Sequence, residues 1–188
     1  MTDPATNGAP RLAPVTDPSP EIRDFLAKGG MNGPNGRPLN IFGTLANHPD
    51  LMRRWMVFAA HVLSKSTLTP RDRELVILRI GARCHSQYEF SQHAIIARRS
   101  DITDAEIEAT KVAIADHPWS TKDAALLRAA DELHDDARVS DATWATLTAE
   151  LTTEQVLDVI FAVGNYNLVS MVLNSTGVQL DEGVPPAL

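Results

Sequence analysis

From Asn40 onward, apolar positions recur at helical spacing along almost the whole chain. Leu51, Trp55, Phe58, Ala59, Val62 and Leu63 follow a period near 3.6 and predict a helix opened by Asn47-His48-Pro49. Thr69-Pro70 opens a second, running through Glu74 to Arg83, with Leu75, Val76, Ile77, Leu78, Ile80 and Ala82 on several of its sides. A helix apolar nearly all round is predicted to be buried on most faces. Ser86 stands where it could cap a third helix through Phe90, His93, Ile96 and Ala97, and Thr103-Asp104-Ala105-Glu106 is a capping box for a fourth. Ser120 or Thr121 opens a fifth, Asp141–Leu151 is a shorter one, and Thr153-Glu154-Gln155 opens the last, which should end at Gly177. No run alternates as a strand would, and no Asn-Gly turn separates two apolar runs. The expected class is all-α, a compact helical bundle.

The chain before Asn40 is different. It holds seven of the twelve prolines and five of the ten glycines. Met1–Pro20 should be extended, Gly29–Pro38 a loop, and Pro20–Leu26 a short helix with Ser19 as cap. The expected organisation is a Pro/Gly-rich arm over residues 1–38, an all-α domain over 39–180 and a tail over 181–188. An arm of this composition is ordered only where it lies on its own domain or on a neighbouring subunit.

Composition narrows the function. Apolar residues make up 44% of the 188, so a real core is expected. With 17 Lys+Arg against 24 Asp+Glu the net charge is −7, which argues against nucleic acid as a partner. A single cysteine, Cys84, closes no intrachain disulfide and supplies no Cys-rich metal site. The first thirty residues lack the pattern of a signal peptide, and the apolar run Val156–Leu173 is interrupted by Asp158, Gly164, Asn165 and Asn167. The expectation is a cytoplasmic protein without a membrane partner.

The densest polar segment is Cys84-His85-Ser86-Gln87-Tyr88-Glu89-Phe90-Ser91-Gln92-His93. On a helix Ser86, Glu89 and His93 form one stripe, and a carboxylate four residues before an imidazole can accept its N–H and raise its basicity. Glu74 on the preceding helix could supply a second carboxylate, and a regular continuation of that helix would let Glu74 and His85 look into one cleft. Asn165 and Tyr166 interrupt the apolar last helix, so they either join a hydrogen-bond network or line a pocket. His48 reads as a helix-start residue, His61 as a core or interface histidine, His117 as solvated and His134 as part of a surface acidic cluster. Trp55, Trp119 and Trp144 read as core or interface anchors.

Leu68-Thr69-Pro70-Arg71-Asp72-Arg73-Glu74-Leu75-Val76-Ile77-Leu78-Arg79, followed by the Cys84–His93 segment, resembles the carboxymuconolactone decarboxylase-like family of the alkylhydroperoxidase D-like superfamily. Leu39–Phe42, Leu45–Pro49 and Gly164-Asn165-Tyr166 extend the resemblance over roughly residues 38 to 180. It implies a compact all-α bundle that assembles into trimers or hexamers; with the small and apolar positions on several helices, the expected partner is a second copy, in a homo-oligomer (dimer, trimer or hexamer). In the peroxidase branch a Cys-x-x-Cys pair lies seven and four residues before the histidine, and here those positions are Ser86 and Glu89. Glu74, twelve residues before Ser86, matches the branch's glutamate. With both thiols replaced, a dithiol–disulfide cycle is not carried over.

What the resemblance then implies is acid–base chemistry on a small unsaturated carboxylic acid or lactone, by decarboxylation or double-bond migration, with no metal or organic cofactor. His93 would be the general acid/base, Glu89 or Glu74 its orienting carboxylate, and Tyr88 a donor to the developing enolate. Ser86, His85, Phe90, Asn165 and Tyr166 are the candidate substrate-binding groups, and Arg73, Arg79 and Arg83 the cations available to an anionic substrate. Two other readings stand beside it: an antioxidant peroxidase using Cys84, and a non-enzymatic helical oligomer that binds a small ligand.

Overall fold

The structure is a computed structural model, and it describes residues 9–188; the first eight positions of the expected extended arm lie outside the described residues. Nine α-helices follow in order: α1 (Pro20–Lys28), α2 (Asn40–Leu45), α3 (Pro49–Ser64), α4 (Pro70–Arg83), α5 (Gln87–Arg98), α6 (Asp104–Ala109), α7 (Thr121–Asp136), α8 (Asp141–Glu150) and α9 (Thr153–Thr176). Strand-like pairing among the described residues is confined to one isolated bridge, Asn32 with Pro38, inside the Gly29–Pro38 loop. The class is all-α, as expected.

The helices begin where short polar side chains can satisfy their first free N–H groups. Ser19, Thr69, Ser120 and Ser140 each accept from an amide in the first turn, and so does the imidazole of His48. Thr103 with Glu106, and Thr152 with Gln155, close complete capping boxes. Gly177, at φ 68°, ends α9 in the left-handed conformation a glycine adopts without cost.

The core is organised around α4. Leu75 through Ala82 are buried without a break, and the helix packs against α5, α7 and α9. Val76, Ile77 and Ile80 meet Leu126 and Ala129 of α7 and Val159 and Val163 of α9. Leu75 and Leu78 pack with Phe90 and Ala94 of α5 and Ile107 of α6. A charged tie crosses this core: Arg79 holds Asp131 at 2.6 Å through two nitrogens, and the carbonyls of Thr110 and Val112 at 2.8 and 2.7 Å through the third.

Three expectations are corrected. The helix bearing Glu74 stops at Arg83, its expected end, and does not continue regularly to His85, because His85 takes φ 50° and the amides of His85 and Ser86 turn back to the carbonyls of Ala82 and Gly81. His85 is therefore exposed on the corner and shares no helical face with Glu74. In α3 the predicted face is half right: Ala59 and Val62 are buried, but Leu51 and Phe58 are exposed, because Met52 and Met56 face Ile22 and Leu26 of α1 instead. By length and apolarity alone α9 could cross a membrane, although half of its most apolar window is buried inside the bundle.

The described part of the arm lies on its own domain. Arg11 and Leu12 both donate to the Thr176 carbonyl, and Val15 donates to that of Gly43. A Cβ at Gly43 would stand 2.9 Å from Pro14, so the approach of arm to α2 requires glycine there.

Candidate active site

The α4–α5 corner sends both helices back along each other, and this brings Glu74 of α4 against α5 nineteen residues later. His93 Nδ1 lies 2.7 Å from Glu74 Oε2, and its Nε2 lies 3.0 Å from Glu89 Oε1. All three residues are buried, Glu74 completely. The other oxygen of Glu74 accepts from Arg73 Nε at 3.0 Å. Glu74 is thus saturated, while among the described residues Glu89 Oε2 has no donor.

The electrostatics follow from this clamp. Burial alone would depress the imidazole of His93, but the charges and hydrogen bonds of Glu74 and Glu89 outweigh it and raise it to about 10. Burial likewise pushes the Glu74 carboxyl up, and His93 with Arg73 more than reverses that, leaving it below its ordinary value. At neutral pH His93 is a cation held between two carboxylates. The Tyr166 ring stands edge-on to the imidazole, with centroids 4.9 Å apart, and burial followed by the two glutamates keeps its phenol protonated. Asn165, beside it, accepts from Trp55 Nε1 at 3.1 Å. Of the two outcomes open for Asn165, it joins a hydrogen-bond network.

The other candidates lie apart from this cluster. Tyr88 donates to Asp181 of the tail, and the same carboxylate accepts from Gln92 and from the Asn40 amide at 2.6 and 2.7 Å. Burial, then Asp181, raises the Tyr88 phenol far above its ordinary range. The structure therefore shows a tie between tail, α2 and α5 where a proton donor was expected. Phe90 is fully enclosed in the core, with Lys111 Nζ 5.2 Å from its ring centre. Ser86 occupies the N-cap position of α5 without capping it, and its buried hydroxyl finds no partner among the described residues. Cys84 is half-buried beside Asn167, its sulfur 3.2 Å from Oδ1, and burial raises its thiol. It is protonated at neutral pH, the wrong state for a nucleophile.

The three arginines separate as well. Arg79 and Arg83 turn to α7, where Asp131 and Asp135 take them. Of the three, Arg73 alone is at the site. Sequence reasoning missed Asp181, which no local pattern marks, and the role of Trp55 as a donor. Three cavities lie elsewhere, between arm and loop, between α3 and α9, and beneath the tail; none is lined by Glu74, Glu89 or His93.

Comparison with known proteins agrees with this architecture. The profile of the carboxymuconolactone decarboxylase family matches residues 49–132, the stretch that contains Glu74, Glu89 and His93. No curated protein matches the chain by sequence. Among solved structures, an uncharacterised peroxidase-related protein from Ralstonia eutropha JMP134, an alkylhydroperoxidase AhpD core, superposes with a TM-score of 0.80 at 20% identity over 97% of this chain and 100% of that one. An uncharacterised peroxidase-related protein from Silicibacter sp. TM1040 gives 0.78 at 16% identity, covering 98% and 97%. A cysteine-to-alanine variant of the debrominase Bmp8, in complex with 2,3,4-tribromopyrrole, gives 0.72 at 12% identity, covering 94% of each chain. Residues 49–132 of the chain are thus similar to the carboxymuconolactone decarboxylase family, and the fold is the all-α fold of AhpD-like structures.

Proposed function

We propose that the chain is a cofactor-independent acid–base enzyme acting on a small unsaturated carboxylic acid or lactone, by decarboxylation or double-bond migration. The observation that carries this reading is the buried imidazolium of His93 between Glu74 and Glu89, with both oxygens of Glu74 engaged and one oxygen of Glu89 without a donor among the described residues. Glu89 would exchange the proton with substrate through Oε2. His93 would stabilise its charge on either side of the transfer, and Glu74, held by Arg73, would fix the imidazole. A debrominase on the same fold supports enzymatic use of this architecture. The peroxidase reading loses ground at Cys84, whose thiol is raised by burial and has no second cysteine in the chain.

The test is a screen of unsaturated carboxylates and lactones, followed by variants on the substrate found. His93→Gln and Glu89→Gln should each lower kcat by roughly 10²-fold or more, with helical content retained, and Cys84→Ala should leave it unchanged. Wild-type rates in both site variants would refute the mechanism. Peroxide consumption lost in Cys84→Ala alone would establish the peroxidase reading instead.

A further inference from the structure

Two hydroxyls buried beside the acid–base cluster have nothing to bond. Ser86 and Ser170 are both completely buried, and among the described residues neither Oγ has a partner. A buried hydroxyl left without a hydrogen bond costs about 1–3 kcal/mol, so two in one place ask for a common explanation. Three contacts put them in one place. His93 meets Tyr166 through their rings, and the Cys84 carbonyl, at the corner before α5, accepts from Asn174 Nδ2 at 2.8 Å. From His93 back to that corner the partners on α9 therefore advance from Tyr166 to Asn174, and Ser170, midway, falls opposite Glu89. The Cys84 thiol gives the same register, since it feels both the Ser170 hydroxyl and the Glu89 charge. Ser86 stands one turn before Glu89, at the N-cap of α5. What the two hydroxyls flank is the unmatched Oε2 of Glu89, and neither is placed to donate to it.

We propose that the Ser86 and Ser170 hydroxyls donate to a carbonyl oxygen of the substrate and hold the negative charge that gathers there while Glu89 handles the proton. The inference rests on the acid–base reading above and supplies the donor that Tyr88, tied to Asp181, does not. It also narrows the substrate to one whose departing carboxylate, or migrating double bond, stands β to a carbonyl, directly or through an intervening double bond. In decarboxylation the bond to the carboxyl carbon breaks, its electron pair passes onto the carbonyl oxygen, and carbon dioxide leaves. A proton then reaches carbon through Glu89 Oε2 and is replaced from water. In double-bond migration Glu89 takes the proton from one carbon and returns it to another, and the pair rests on the same oxygen in between. The surroundings admit that charge. Arg73 and His93 balance Glu74 and Glu89, so the cluster is neutral overall. The first N–H groups of α5, which no side chain caps, add the positive end of a helix.

On a substrate from the screen above, Ser170→Ala should lower kcat roughly 10²-fold with KM little changed, because the hydrogen bond strengthens only as charge forms, and Ser86→Ala should do the same. Neither should lower the denaturation midpoint, since each removes a hydroxyl that the folded chain leaves unbonded. A hydroxyl that only supports the fold would give the reverse pattern. A probe that needs no turnover is 4-nitrophenol, a planar mimic of the enolate whose colour reports its ionisation. The wild type should bind it as the yellow phenolate, and Ser170→Ala should weaken that binding roughly 10-fold. Ser100→Ala, whose hydroxyl bonds the Ile96 carbonyl just beyond the far end of α5, should not. A wild type that leaves the probe unbound, or wild-type rate and affinity in both serine variants, would overturn the proposal. Its failure is separable from that of the reading it rests on. Unchanged serine variants beside inactive His93→Gln and Glu89→Gln would remove the serines alone. Serine-dependent phenolate binding beside wild-type rates in His93→Gln and Glu89→Gln would keep the oxygen site and remove the proton chemistry.

Discussion

Two charged clusters grow from α4, five residues apart, and they meet burial in different ways. Arg79 has a carboxylate on two nitrogens and two backbone carbonyls on the third, so four of its five N–H donors are answered. Around His93 both ring nitrogens and both oxygens of Glu74 are answered, but the chain of contacts ends at Glu89 with an oxygen unmatched among the described residues. A saturated buried ion joins helices together. One with an open end can pass a proton on. Burial of the cations does not separate the two, since Arg79 and His93 are 5 and 6% exposed; what their partners leave open does.

The comparison breaks most sharply at Arg79. Arg79→Met leaves two carbonyls without their donor and Asp131 with Arg83 alone, at 3.5 Å, and should cost about 2–4 kcal/mol in chemical denaturation. A loss below about 1 kcal/mol would mean that the tie is dispensable. The His93 cluster should show itself through pH. Its imidazole is raised above the unfolded value, so its contribution to stability is whole below about pH 6.5 and is lost as pH rises to about 10. Stability should fall as pH rises across that window in the wild type, by roughly 1 kcal/mol per pH unit at most, and this slope should be missing in His93→Gln. Equal slopes would show that the imidazole is not held as a cation. The smallest effect is expected at Tyr88. Tyr88→Phe removes one hydrogen bond to Asp181, worth about 1 kcal/mol, and should leave turnover on the identified substrate untouched. A large loss of rate would bring Tyr88 back into the chemistry.

What could be read from the amino-acid sequence was mostly local. Thr103 with Glu106 and Thr152 with Gln155 lie within one turn, and the stop at Gly177 needs only a residue free to go left-handed. The pairing of Glu89 with His93 is an i, i+4 relation, equally local, and Glu74 on the preceding helix is legible as a second carboxylate before the family resemblance adds its spacing. What escaped depends on distance or on competition between faces. Asp181 reaches Tyr88 across 93 positions, and the turn of α3 toward Met52 and Met56 is decided by α1, which a helical period cannot see. His85 misled for another reason: it takes the left-handed conformation that glycine usually supplies beyond a helix end, so its residue type did not show that it leaves the face of Glu74.

The short return at that corner also bears on the order in which the cluster can form. Glu74 and His93 are joined by a loop of 19 positions, whereas Trp55 must find Asn165 across 110. The entropy of closing a loop grows with the logarithm of its length, so the first meeting is cheaper by about 1.5 kcal/mol. The charged trio belongs to a single helical hairpin and can gather while the chain is still largely open. The α9 wall of Asn165 and Tyr166 arrives only with the long-range packing of the last helix. During folding, then, the carboxylates and imidazole meet first in water, where pairing is weak and reversible. Only when α9 closes over them does the surrounding dielectric fall and the cation become trapped between its two acids.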